Sequence, residues 1–282
     1  MIHPTALVHP KAELDSTVEV GPYCVIDANV RVAAGCRLFH NVYLTGWTQI
    51  GEQCILHPGV IVGHDPQDTK YAGSKTYCRI GKNTILREYV TIHRGTTPDS
   101  STQVGDDCFL LGGSHVAHNC HVGNRVTLIN NALLAGHVEV GDGVTVGGGA
   151  GAHQFVRIGE LAMIAGNARV SMDVLPFAMI DVDGRVAGLN RVGLRRAGLQ
   201  REQVESVRQA YRTLYGGGLP FSEAVQQLAG ELHAANSSGI HESPTAAMHK
   251  ARPQPVESIV KFVQSPSRRG IAGRTRKGHP PT

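Results

Sequence analysis

The sequence is poor in aromatic side chains, with one Trp, seven Tyr and six Phe among 282 residues. It is also sparing with charge: 18% charged residues against 41% hydrophobic ones excludes a chain kept disordered by low hydrophobicity and self-repulsion. No run approaches the roughly 18 apolar residues of a membrane span, so no transmembrane segment is expected. The opening MIHPTALVHPKAELD lacks the basic and apolar regions of a secretory leader, and a cytoplasmic protein is expected. The formal charge of +4 is local, because Arg268, Arg269, Arg274, Arg276 and Lys277 contribute +5 within the last fifteen residues and the rest carries −1. A nearly neutral body gives no reason to expect a nucleic-acid partner.

Glycine is what the chain has in excess, at 34 residues, without the every-third-residue period of collagen. The period is six. Reading every sixth residue from Ile2 to Val170 gives 29 positions, of which 25 are Ile, Leu or Val; the exceptions are Asp68, Ser74, Pro98 and Ala152. Glycine often follows directly, as at Gly21, Gly51, Gly63, Gly81, Gly105, Gly123, Gly141, Gly147 and Gly159. A second inward phase lies four residues after the aliphatic one, occupied mostly by Val, Ala, Thr or Cys. Such a pattern does not fit an amphipathic helix, whose stripe recurs near 3.6 residues; it fits short strands joined by corners. Cys24, Cys36, Cys54, Cys78, Cys108 and Cys120 all fall in that second phase, so they read as core packing rather than as a disulfide or metal framework.

Three six-residue sides make an 18-residue coil, stacked by parallel strand pairing about 4.8 Å apart. About ten coils are expected over residues 1–190. Two stretches break the aliphatic series, so external loops are expected near 64–79 and 93–103, as functional segments or as exposed spacers. From about Arg191 the spacing becomes helical, and 191–264 reads as a helical domain. Val204, Val207, Tyr211, Leu214 and Tyr215 form one face, ended by Gly216 to Gly218, and Ser222 is the expected cap of a second helix. A third short helix follows Pro255. Residues near 236–254 read as a flexible insert, and 265–282 as a basic, disordered tail.

His115, His118, His121, His137 and His153 avoid both inward phases, which places them on the prism surface or at a subunit interface. His137 follows His118 by nearly one coil, so the two are expected as neighbours about 5 Å apart on adjacent turns. General base, zinc ligand and incidental surface histidine all remain open for this ladder on spacing alone.

The hexad pattern resembles the hexapeptide-repeat proteins, which implies a left-handed parallel β-helix followed here by the C-terminal α-helical domain. The segments QDTKYAGSKT, REYVTIHRGT, SHVAHNCHVGNR, NNALLAGHVEVGD, GAHQFVRIG and GLNRVGLRRAGL are more specific. They resemble the UDP-N-acetylglucosamine O-acyltransferase family over about residues 1–235, and VESIVKFVQSPSRRGI resembles that family's C-terminal end. The resemblance implies transfer of an R-3-hydroxyacyl chain from acyl carrier protein to the 3-hydroxyl of UDP-N-acetylglucosamine, the first step of lipid A biosynthesis. It implies His118 as general base and Gly136 as the oxyanion N–H donor. Gln67, Asp68, Lys70, His115, His137, His153, Gln154, Asn190 and Arg196 become the substrate-binding residues. Gly166 matches the position that limits acyl-chain length, and glycine there leaves room for about 14 carbons. No metal and no directly bound cofactor is implied, since phosphopantetheine arrives on the acyl carrier protein, and a homotrimer is expected. Asn119 stands beside the base where many relatives have Asp; a neutral amide can orient the ring but cannot stabilise imidazolium as a carboxylate would. Acylation of a 3-amino sugar, a zinc hydratase like the gamma-class carbonic anhydrases and an inactive scaffold are the alternatives.

Overall fold

The computed structural model describes residues 1–237 and 255–273. Its body is a three-sided solenoid of short parallel strands. One face is a nine-stranded sheet of Leu7–Val8, Val25–Ile26, Tyr43–Leu44, Ile61–His64, Thr91–His93, His115–Val116, Leu133–Leu134, Gly151–Ala152 and Arg169–Val170. Eight- and ten-stranded sheets form the other two faces, and as far as Arg169–Val170 each strand pairs with the third one before it. The last strand of the ten-stranded face, Val186–Leu189, turns back antiparallel on Ala178–Ile180 and ends that sheet.

The two inward phases explain why the coils stack. From Val18 onward nearly every residue of both phases in the strands and corners is buried. Each fully buried Val, Leu or Ile contributes about 1.5–3 kcal/mol of transfer free energy, so the repeat itself supplies the driving force. The six cysteines are buried free thiols within the core. Those of Cys24, Cys36, Cys54, Cys108 and Cys120 donate to the carbonyls of Phe39, Gly51, Gly81, Gly123 and Ala135 at 2.8–3.1 Å, linking neighbouring coils from inside.

Ile61 pairs with Thr91, thirty residues on, and Thr91 with His115, twenty-four on. Both excesses over eighteen are whole multiples of six, so the excursions leave the phase intact. The first is narrower than the expected 64–79: it occupies 65–76, because Tyr77–Ile80 re-enters the ladder with Cys78 and Ile80 in the core. The second leaves the ladder only over 94–100 instead of 93–103, since Thr91–His93 and Ser101–Val104 are paired strands.

Among the described residues four helices follow: α1 (Arg191–Arg196), α2 (Arg201–Tyr215), α3 (Phe221–Ser237) and α4 (Pro255–Gln264). Val207, Ala210, Tyr211 and Leu214 of α2 are buried, and the Tyr211 hydroxyl donates to Pro176 O at 2.6 Å, fastening the helix to the solenoid. Ser222 does not cap α3; the helix already begins at Phe221, after Pro220. The stretch from 265 to 273, read as disordered tail, is docked instead: Asp173 N–H donates to Gly270 O at 2.7 Å and Ala272 N–H to Asp173 O at 2.8 Å. Residues 238–254 and 274–282, which hold most of the expected insert and the rest of the tail, lie outside the described residues. No helix among the described residues is long and apolar enough to cross a membrane.

Candidate active site

The site lies where the nine-stranded face turns into the eight-stranded one. At that corner Asn119, His137 and Phe155 stack one coil apart, all with left-handed backbones (φ 59°, 62° and 65°). Beside them is a cleft of about 840 Å³, lined among others by Gln67, His115, His118, Gly136, His153 and Gln154. A larger groove of about 1080 Å³ crosses the eight-stranded face but contains no histidine.

His118 points out of the core, as its phase implies, yet is only 6% exposed. It is covered from three sides. His137 meets its ring edge-on at 5.2 Å, Gly136 lies against its Nε2 edge, and Asn119 holds Nδ1 through Oδ1 at 3.0 Å. The same Oδ1 accepts from Thr96 N–H at 3.1 Å and Thr96 Oγ1 at 2.8 Å. A backbone N–H can bond only to an acceptor, so the amide orientation is fixed, and Oδ1 has no proton to give. His118 Nδ1 must therefore carry the proton, which leaves the Nε2 lone pair free at the Gly136 side. Asn119 orients the ring and selects its tautomer.

Gly136 is dictated by this close approach. A Cβ there would sit 2.4 Å from His118 Cε1 and 2.5 Å from Nε2. Its N–H donates to no group among the described residues, while its carbonyl accepts from Phe155 N–H at 3.2 Å. A free donor thus stands next to a free imidazole lone pair.

The remaining histidines form two groups. His137 stacks on Phe155 at 4.7 Å, and burial first, then its neighbours His118 and Arg268, lower its pKa against the opposing pull of Asp68. His115 is hydrogen-bonded to Thr91 Oγ1 at 2.7 Å, and burial lowers its pKa. Behind it lie His93, at 4.9 Å between ring centres, and then His64, at 6.5 Å. His93 is 7% exposed, and burial, with His115 and His64 beside it, pushes its pKa down to about 4. The inserted loops hide this second row from simple counting.

The loop 65–76 reaches the same corner. Gln67 lines the cleft, and Asp68 Oδ1 accepts from Lys70 N–H at 2.9 Å in a tight turn. Its strut is Arg94, which sequence reasoning missed. Arg94 pairs with Asp65, donates to Gly63 O at 2.8 Å and to the Tyr71 hydroxyl at 3.0 Å, and lies over the Tyr71 ring. The available signal was a lone arginine directly after the strand that precedes the second loop.

Arg268 and Arg269 were also missed, because their segment read as disordered. Arg268 lies over the Phe155 ring, 4.5 Å from its centre, and Arg269 contacts His153 and Gln154. Of the expected site residues, Asp68, Lys70 and His137 adjoin lining residues without lining the cleft themselves, and Asn190, Arg196 and Gly166 do not line it either. Asn190 is spent on structure: Oδ1 caps α1 at Gly193 N–H (2.9 Å) and Nδ2 donates to Leu161 O (2.8 Å). Arg196 is exposed in the last turn of α1, where a cation complements the helix dipole. Gly166 sits at the opposite corner of the nine-stranded face, beside Gly148. Among the described residues, no cluster of three or more His, Cys, Asp and Glu side chains is arranged to hold a metal ion.

A tautomer-fixed imidazole beside a free backbone donor, in an open cleft on a parallel-strand solenoid, is the equipment of an acyltransferase. Comparison with known proteins agrees. A family model described as UDP N-acetylglucosamine O-acyltransferase, domain 2, matches residues 173–272. The acyl-(acyl-carrier-protein)–UDP-N-acetylglucosamine O-acyltransferase of Thermodesulfovibrio yellowstonii is 44% identical over 233 residues, 82% of this chain and 90% of that protein. The enzyme of that name from Bartonella bacilliformis is 49% identical over 226 residues, 79% and 82% of the two chains. A crystal structure of UDP-N-acetylglucosamine acyltransferase superposes with a TM-score of 0.87 at 33% identity, covering 98% of this chain and all of that one. The chain belongs to the acyl-(acyl-carrier-protein)–UDP-N-acetylglucosamine O-acyltransferase family.

Proposed function

We propose that this protein transfers an R-3-hydroxyacyl chain from acyl carrier protein to the 3-hydroxyl of UDP-N-acetylglucosamine, the first step of lipid A biosynthesis. The observation that carries the reading is the Nδ1–H tautomer of His118, set by Asn119, with Nε2 free beside the Gly136 N–H. Nε2 takes the proton of the sugar hydroxyl as its oxygen attacks the thioester carbonyl. The Gly136 N–H meets the oxyanion of the tetrahedral intermediate. Collapse breaks the carbon–sulfur bond, and the departing thiolate of phosphopantetheine recovers the proton from Nε2. That cofactor belongs to the donor, and the chain's own residues need supply only base, donor and orientation.

Gln67, Asp68, Lys70, His115, His137, His153 and Gln154 would bind the sugar nucleotide, the first three from the loop that Arg94 holds against the corner. The acyl chain would run from Gly136 across the nine-stranded face towards Gly166. Exposed Leu133 and the bare backbones of Gly149 and Gly151 supply an apolar floor along that line. In a homotrimer, Arg196, with Asn190 placing its helix by capping α1, would serve a site completed by a neighbouring copy, which fits their distance from the cleft of their own chain. The coils would wind left-handed, the helices would form a C-terminal domain, and the enzyme would work in the cytoplasm. Exposed Arg191, Arg195, Arg196 and Arg201 would meet the acidic carrier protein.

Purified protein, UDP-N-acetylglucosamine and a mixture of hydroxyacyl carrier proteins should yield one alkali-labile ester by mass spectrometry. The product should vanish with His118→Ala. A folded wild-type protein that makes no ester, or a variant that still does, would overturn the reading.

A further inference from the structure

The segment from Pro266 to Gly273 brings two guanidinium groups to the corner beside the cleft, Arg268 over Phe155 and Arg269 against the cleft residues His153 and Gln154. Ser267 Oγ accepts from the N–H groups of Arg269 (3.2 Å) and Gly270 (2.8 Å), which turns the chain at the arginine pair. Beyond the turn the segment is pinned by Asp173 N–H to Gly270 O (2.7 Å), Ala272 N–H to Asp173 O (2.8 Å) and Val186 N–H to Gly273 O (2.8 Å). Asp173 is itself fully buried and bonded to Arg157 Nε at 2.8 Å, so the anchor belongs to the solenoid. Arg268 and Arg269 are thereby held over the corner column, Arg268 on the Phe155 ring that in turn stacks on His137.

Arg269 makes the more specific contact. Its Nε–H donates to Gln154 O at 2.7 Å, and its Nη2 donates to Nδ1 of His153. A guanidinium has donors only, so Nδ1 of His153 must present its lone pair. The Gln154 carbonyl lies 3.4 Å from that Nδ1, too far to hold a proton there against a guanidinium N–H aimed at the same nitrogen. We infer that Arg269 is a positioning residue that fixes His153 as the Nε2–H tautomer and so makes it a hydrogen-bond donor into the cleft. His118 and His153 then carry opposite tautomers for opposite tasks: one has a lone pair to take a proton, the other an N–H to hold an acceptor. The nature of that acceptor, a hydroxyl or phosphate oxygen of the sugar nucleotide, rests on the function proposed above; the tautomer does not.

Two measurements separate these layers. In full-length protein labelled with 15N-histidine, with the His153 signals assigned by their loss in His153→Gln, the proton should reside on Nε2. Arg269→Gln should release a mixture of tautomers. With UDP-N-acetylglucosamine as the varied substrate, the same variant should raise KM about ten-fold while kcat changes less than about two-fold, the size of one charge-assisted hydrogen bond. Arg269→Lys, which keeps one donor but not the fork, should recover part of the loss. The anchor contacts at Asp173 and Val186 are backbone bonds, so thermal midpoints should stay near wild type. A wild-type His153 protonated on Nδ1, or an Arg269→Gln protein unchanged in both tautomer and KM, overturns the inference. If the wild-type enzyme shows no turnover of this substrate, the proposed function fails while the nitrogen spectrum still decides the tautomer.

Discussion

Adding one methyl group at Gly136 should disable the base without unfolding the protein. In Gly136→Ala the new Cβ would lie 2.4 Å from His118 Cε1 and 2.5 Å from Nε2, whereas ordinary contact begins near 3.4 Å. The ring must therefore retreat by about 1 Å. It has little room to do so, being 6% exposed, crossed by His137 at 5.2 Å and tied to Asn119 at 3.0 Å. Its easiest retreat breaks the Asn119 bond and with it the selected tautomer. Misplacing a catalytic group by about 1 Å costs on the order of 100-fold, so kcat should fall by about that factor. The backbone itself accepts alanine, since φ at this residue is not in the left-handed region, and the position, though buried, lies under His118 rather than among the inward aliphatic phases. The thermal midpoint should therefore stay within a few degrees of wild type. Gly188→Ala, away from the cleft, is the control, for its Cβ would meet nothing within 4 Å. The assay is steady-state acyl transfer with UDP-N-acetylglucosamine, read by product mass. Wild-type kcat in Gly136→Ala would refute the reasoning, because the observed seat of the imidazole could not then be the catalytic one.

Asn119→Ala removes the acceptor that holds Nδ1–H and should lower kcat about 100-fold with little change in KM, whereas Asn119→Asp keeps the acceptor, adds charge and should move the acid limb of the kcat/KM profile to higher pH. Unchanged profiles in both variants would remove Asn119 from the catalytic account. Asp173→Asn leaves Arg157 buried beside Phe262 without its counter-charge, a loss of about 3–5 kcal/mol and on the order of 10 °C in thermal midpoint, measurable by calorimetry. A midpoint within about 2 °C of wild type would show that the pair does not anchor this end of the solenoid. His93 gives a signed pH effect: its folded pKa of about 4 lies below its ordinary 6.5, so between these values the unfolded chain binds more protons. Stability should therefore fall as pH is lowered from about 6.5 towards 4, and the lowered His115 and His137 add to the slope. Urea midpoints for His93→Gln should decline less steeply over that range; parallel curves for variant and wild type would sink this assignment.

The six-residue period made the three-faced body legible, because burial of two phases per side is a periodic demand that residues must meet one by one. The loop limits were harder to read for the same reason. The excursions are multiples of six, so Cys78 and Ile80 return in phase, and only Asp68, Ser74 and Pro98 mark where the chain has left. That multiple also concealed the row His64–His93–His115, whose members are 29 and 22 residues apart in sequence and neighbours in space. His118 and His137 stand on coils without insertion, so their adjacency followed from counting alone. The docking of Arg268 and Arg269 had no periodic signature. It depends on a backbone bond between Gly270 and Asp173, nearly a hundred residues away, and on a serine that turns the chain at the right place. Asn190 shows the opposite limit: its identity fits nucleotide binding, but both ends of its amide are committed to α1 and Leu161 once the chain has folded.

The location of the site follows from the corner rather than from any one motif. Asn119, His137 and Phe155 accept left-handed backbones that cost roughly 1 kcal/mol each, and their own N–H groups bond inward to the preceding coil. Such a turn leaves the residue just before it, His118, Gly136 or Gln154, with an N–H that bonds to no group among the described residues. The fold thus exposes a row of backbone donors one coil apart, about 4.8 Å, along one edge of the cleft. A donor becomes useful for acyl transfer only where a base reaches the same point, and a side chain on the donor residue would block that base. Glycine at the middle position and histidine one coil before it satisfy both conditions, which is why Gly136 and His118 have to be read as a pair.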